Sequence, residues 1–188
     1  IFITHEHSDH IKGAGIMSRK LDIPIYANLK TWCGMKDKIG NIKEENMVVF
    51  ENDKTYALGD IKIRPFSIPH DSEDAVGYNI YSDDQKMSIA TDIGYVTENI
   101  RKNLKNSKLV VLESNYDPNM LMMGSYSYSL KKRVMSEGGH LSNEEAASFC
   151  TELVDGGTET ILLAHLSKEN NFPELAYATS KNVLTNNQ

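Results

Sequence analysis

Apolar and polar positions along the chain fall into two rhythms. Between residues 47 and 91 short β-branched and aromatic runs dominate, and 47–50, 61–68, 76–81 and 87–91 each read as a strand bounded by polar or turn-forming residues. Further strands are predicted at 1–4, where Ile1-Phe2-Ile3-Thr4 is an apolar run, and at 23–26, 109–112 and 160–164. Helical spacing begins after His10 and runs to about Lys20, with Ile11, Ala14, Ile16 and Met17 on one face. It returns at 29–38, 98–104, 130–137, 143–154 and 173–183. Ser142 stands three residues before Glu145, the spacing of a capping box, which fixes a helix start beside His140. Strands clustered first and alternating with helices later predict a layered α/β fold. No repeat, low-complexity tract or linker interrupts the pattern, so 1–188 reads as one domain, and the Met-rich 120–123 stretch reads as a flexible packing loop.

Composition narrows the class. A chain of 188 residues, 40% apolar and 24% charged, can bury one real core and is neither disordered nor membranous in character. It has no apolar run near the ~20 residues that span a bilayer and no basic-then-apolar leader, so no membrane partner is expected and a cytoplasmic location is. Cys33 and Cys150 lie outside any C-x-x-C pattern and read as small buried hydrophobes in a reducing compartment. A net charge of −6 lacks the basic excess of a protein that wraps nucleic acid, so any such contact must be local. The basic run Lys131-Lys132-Arg133 reads more readily as a solvated helix face than as a phosphate contact.

The chemistry is concentrated at His5-Glu6-His7-Ser8-Asp9-His10, between a predicted strand and a predicted helix. In extended backbone His5 and His7 share a direction, while Asp9 and His10 turn away on entering the helix, so two neighbouring cations can be served. Only six histidines occur, and the other three also lie at strand ends or before helices: His70 after 61–69, His165 after 161–164, and His140 before the capped helix. Asp92 follows the 87–91 strand. Taken singly, His70 or His165 is more often an ordinary packed histidine; three imidazoles and a carboxylate within six residues would instead crowd polar groups that need a cation.

At these residues the sequence resembles the metallo-β-lactamase superfamily, whose H-x-H-x-D-H signature is matched in full and whose later motifs follow in order. The resemblance implies an αββα sandwich lacking the usual N-terminal strands, because the family normally places several strands and an aspartate motif ahead of this loop. It implies one divalent ion held by His5, His7 and His70 and a second by Asp9, His10 and His165, with Asp92 and a hydroxide nucleophile bridging them. Zinc or manganese is expected, with iron also compatible. Thr4 to Asp9, Gly138 to Asn143 and His165 to Asn171 look like the YycJ/WalJ branch of proposed DNA exonucleases. Glu113 and His140 match positions used by related tRNA 3′-end ribonucleases near the leaving group, implying His140 as proton donor oriented by Glu113. The expected function is therefore a 5′-3′ DNA exonuclease-like phosphodiesterase, with Asp9, Asp92, His140 and Glu113 catalytic and Ser167, Lys168 and Asn170 lining the substrate. DNA is favoured over RNA, and a homodimer is compatible. The alternatives are an ester or lactone hydrolase of the same fold and a noncatalytic metal-bound interaction module.

Overall fold

The structure, a computed structural model, describes residues 1–186. Its strands form two sheets. Strands β1 (Ile25–Asn28) and β2 (Met47–Phe50) pair in parallel, and β3 (Tyr56–Leu58), β4 (Ile61–Ser67), β5 (Val76–Ser82), β6 (Gln85–Ala90), β7 (Leu109–Glu113) and β8 (Thr160–Ala164) form the second sheet in chain order. The β3 to β6 stretch is an antiparallel meander; β6, β7 and β8 are mutually parallel. The helices are α1 (Ser8–Ile11), α2 (Ala14–Leu21), α3 (Leu29–Met35), α4 (Glu98–Leu104), α5 (Pro118–Met123), α6 (Tyr128–Val134), α7 (Asn143–Asp155) and α8 (Pro173–Asn186).

Period-two alternation sorts the core into three sheets of apolar contact. In β1, Ile25 and Ala27 face α1 to α3 and pack with Ile11, Ala14, Trp32 and Met35, while Tyr26 faces the other way. Tyr26 joins Phe2, Phe50, Ile63, Val76 and Tyr78 between the two sheets. On the far face of the larger sheet, Phe66, Ala90, Val110 and Leu112 meet Ile100 and Leu104 of α4 and Phe149, Cys150 and Leu153 of α7. The order is helix, sheet, sheet, helix, the αββα sandwich predicted above. No helix among the described residues is long and apolar enough to cross a membrane.

Several expectations need correction. Residues 1–4 do not form a strand; only a Phe2–Tyr26 bridge is made, beside an Ile3 N–H bond to the Tyr26 carbonyl at 2.9 Å. The helix after His10 is two helices, because Lys12 and Gly13 break it into α1 and α2. The Met-rich loop is α5, begun by an Asp117 cap on the Met120 N–H and Pro118 in the first turn. Cys33 is exposed, since it lies on the outer side of α3; Cys150 is buried as expected.

Candidate metal centre

Each sequence-predicted site residue reaches one rim of the sandwich. His5 lies past the Phe2 bridge, His7 caps α1, and Asp9 and His10 sit on it. His70 follows β4, and Asp92, Glu113 and His165 stand at the carboxyl ends of the adjacent parallel strands β6, β7 and β8. The crevice beyond the carboxyl ends of parallel strands is where α/β sheets place ligands. His140 precedes the Ser142–Glu145 capping box of α7, which the structure forms on both sides.

The polar atoms converge on Asp92. Its Oδ1 lies 3.4 Å from His165 Nε2 and 3.7 Å from His70 Nε2, and its Oδ2 lies 3.5 Å from His10 Nε2. Asp9, mostly exposed, approaches His10 at 3.6 Å and His165 at 4.0 Å. His5, His7 and His70 form one group with mutually close ligand atoms, and Asp9, His10 and His165 form another.

Hydrogen bonds determine which imidazole nitrogen is left bare. The His70 Nδ1–H donates to the Gly139 carbonyl at 3.1 Å and the His7 Nε2–H to the Asp71 carbonyl at 3.2 Å. The remaining lone pairs, His70 Nε2 and His7 Nδ1, then face each other at 3.3 Å. Two lone pairs so placed repel unless a cation sits beside both. His5 Nε2 and Asp92 Oδ2 are buried and have no hydrogen-bond partner among the described residues, an arrangement that costs free energy unless something else binds there. The donor set therefore fits divalent metal ions.

Electrostatics agree with this geometry. Burial raises the Asp92 carboxyl, but the nearby His10 Nε2 and the charges of His165, His10 and His5 outweigh it and hold the group well below its ordinary value. Burial pulls His5 down to about 3, keeping it neutral and able to coordinate. At His165 burial is overcome by the Glu113 hydrogen bond and the Asp92 charge, and the ring is pushed up to about 9, so a cation binding at its Nε2 would have to displace a proton.

Glu113 is fully buried and accepts five hydrogen bonds. They come from His140 Nδ1 at 2.9 Å, His165 Nδ1 at 2.8 Å, and the N–H groups of Asp92 at 3.2 Å, Ile93 at 2.8 Å and Leu141 at 3.0 Å. Burial alone would raise its carboxyl, yet the His140 and His165 bonds keep it below the ordinary value. Glu113 does not line the cavity and acts through other groups, whereas His140 does line it. That cavity, about 540 Å³, also receives Ser167, Lys168 and Asn170 as expected, together with Asn115, Tyr126 and Arg133, which the sequence reading did not select. Thr4 was missed as well: its hydroxyl sits between His5 Nδ1 at 3.0 Å and His10 Nδ1 at 3.3 Å. Such ordinary residue types carry no signal beyond adjacency to a histidine.

A beta-lactamase superfamily domain matches residues 1–166. The chain belongs to that superfamily. Within it, the chain is 41% identical over 184 residues to the exodeoxyribonuclease YycJ of Bacillus anthracis, covering 98% of this chain and 70% of that protein. It is also 41% identical over 186 residues to the exodeoxyribonuclease WalJ of Streptococcus pneumoniae, covering 98% and 69%, which places it in the YycJ/WalJ branch of the superfamily. Among solved structures, the metallo-beta-lactamase fold protein YhfI from Bacillus subtilis superposes with a TM-score of 0.74 at 18% identity, covering 98% of this chain and 70% of that one. The superfamily fold and the αββα layering described above are the same architecture.

Proposed function

We propose that this chain is a metal-dependent phosphodiesterase that degrades DNA from an end, with His5, His7 and His70 holding one divalent ion, Asp9, His10 and His165 a second, and Asp92 shared between them. The observation that carries the reading is the ring of bare imidazole and carboxylate atoms around Asp92, at the mouth of a cavity, in a chain 41% identical to exodeoxyribonucleases. Imidazole and carboxylate donors without thiolate suit zinc, and equally manganese or iron. Bound there, the ions would polarise the phosphoryl oxygens and acidify a water at neutral pH.

The chain's own groups have separable tasks. Asp92, kept ionised, supplies the anionic centre on which both ligand groups close. Glu113 fixes His165 in the tautomer that presents Nε2 to the site, and fixes His140 by its Nδ1, leaving His140 Nε2 to carry a proton. A proton donor at that position relieves the charge that develops on the leaving alkoxide. Ser167, Lys168 and Asn170, which line the cavity after β8, would contact the substrate.

The test is to incubate the metal-loaded protein with single-stranded and duplex DNA, RNA, a chromogenic phosphodiester, an ester and a lactone, each with and without chelator. Chelator-sensitive release of nucleotides from DNA is expected. Turnover of the ester or lactone alone would replace the reading with the small-molecule hydrolase, and metal-dependent folding with no turnover would replace it with the interaction module.

A further inference from the structure

Two segments of unlike character line the cavity. One is the stretch after β8, with Leu166, Ser167, Lys168 and Asn170; the other is the loop and helix of residues 124–134, contributing Tyr126, Leu130, Arg133 and Val134. Helix α6 buries none of its residues, so it lies on the surface as a separate flap of basic and aromatic groups. In a chain of net charge −6, the run Lys131-Lys132-Arg133 here follows Tyr126 and Tyr128, and the Lys132 ammonium stands 4.7 Å from the Tyr128 ring centroid.

Arg133 is held in a fixed pose. Its Nη2 donates to Asp71 Oδ1 at 3.1 Å and its Nε to Asp71 Oδ2, so the carboxylate grips one edge of the guanidinium. A guanidinium has five N–H donors, and the Asp71 grip takes two. The others find no protein acceptor among the described residues, although the side chain lines the cavity. Asp71 is the residue after His70, and its carbonyl accepts from His7, so the guanidinium is indexed to the proposed metal ligands rather than floating on the surface. Lys168, from the stretch after β8, also lines the cavity and supplies the net positive charge that the Arg133–Asp71 pair lacks. Beside it Asn170 is 1% exposed, with an Oδ1 that has no hydrogen-bond partner among the described residues.

We infer that Arg133, Lys168 and Tyr126 form a nucleotide subsite next to the metal centre that takes single-stranded DNA: Arg133, oriented by Asp71, and Lys168 bind the phosphate adjoining the scissile one, and the Tyr126 ring packs on that nucleotide's base. This deepens the nuclease reading and rests on it. Guanidinium and ammonium groups both suit phosphate oxygens, and an aromatic face offers sequence-tolerant contact to any base. Such contact needs a base free of its duplex partner, which a single strand supplies along its whole length.

The experiment measures binding of a fluorescein-labelled oligothymidylate by anisotropy, in chelator so that nothing is cleaved, across a salt series. Arg133→Ala and Lys168→Ala should each weaken binding about tenfold and flatten the slope of log affinity against log salt by about 0.7, the contribution of one phosphate contact on a single strand. Tyr126→Ala should weaken binding about tenfold with the slope unchanged, and Tyr126→Phe should restore it. Each variant's thermal unfolding is recorded beside the wild type's, and Arg133→Gln replaces Arg133→Ala if the latter unfolds. Unchanged affinity or slope in the Arg133 and Lys168 variants, no rescue by Tyr126→Phe, or tighter wild-type binding of blunt duplex would overturn the subsite. If the metal-loaded wild type still cleaves DNA in that case, the nuclease reading survives; a wild type that neither binds nor cleaves overturns both.

Discussion

Asp92 and His165 both adopt left-handed backbone, with φ of 60° and 55°. For non-glycine residues this conformation costs on the order of 1 kcal/mol each and persists where surrounding contacts impose it. Glu113 is the imposing group, because it accepts the Asp92 and Ile93 N–H groups and the His165 ring together. Asn tolerates the left-handed region as Asp does, so Asp92→Asn should leave the chelated protein's melting temperature unchanged or raised while lowering DNA cleavage on the order of a hundredfold or more. Thermal unfolding and initial rates check the two halves. Glu113→Gln keeps the shape but loses the charge that orients two histidines, and should weaken metal affinity or turnover about 10- to 100-fold, read by competition with a chromophoric chelator. At this scale the six histidines and Asp92 were legible in the sequence, because rare ligand types recurred after apolar runs. The supporting Thr4, Asp71 and Asn115 were not, since what they do depends on neighbours delivered by other segments.

Glycine and lysine show how elements hold the site together. A Cβ on Gly94 would sit 1.8 Å from the Glu137 carbonyl oxygen, so the loop after β6 and the loop carrying Gly138 to His140 can touch only through a glycine. Gly94 N–H also donates to the Pro69 carbonyl at 2.9 Å, beside His70. Gly94→Ala should therefore destabilise the fold by about 1–3 kcal/mol in urea titration and displace His140 and His70. Lys86 of β6 donates to the carbonyls of Asn103 and Lys105 at the end of α4, and burial, then the Arg64 charge, lower it to about 8 from 10.5. Between those values the unfolded chain binds more protons than the folded one, so stability contributed at this site rises with pH. Relative to Lys86→Met, the wild type should gain on the order of 1 kcal/mol from pH 8 to 10.5, after allowance for solvent screening at a half-exposed group, as urea titrations at both ends would show. Strand 47–50 and helix 98–104 were legible to the residue, one from a β-branched and aromatic run and one from helical spacing, and the structure adds a Thr97 cap on the Ile100 N–H at the helix start. The three-residue β3 was not, because so short a strand exists only through its pairing with β4.

The whole molecule brings six chain segments to one rim by a simple topology: parallel β6, β7 and β8 end there together, the loop after β4 joins them from the same sheet, the α1 loop comes from beside the smaller sheet, and the loop before α7 brings His140. The αββα class followed from strand runs giving way to strand–helix alternation together with the family resemblance. The strand order and the second sheet's partners were not legible, since hydrophobic alternation names a strand's two faces and not its neighbours. If the account is right, activity belongs to the assembled ligand set rather than to any segment. The decisive measurement is the rate of nucleotide release from labelled DNA as metal is added back to chelator-stripped protein, with bound metal counted per chain. The account predicts negligible release without metal, a rise to a plateau as two ions bind, and no recovery at any loading in Asp92→Asn. Release that persists in stripped protein, or a fully loaded wild type that leaves DNA intact, would contradict it.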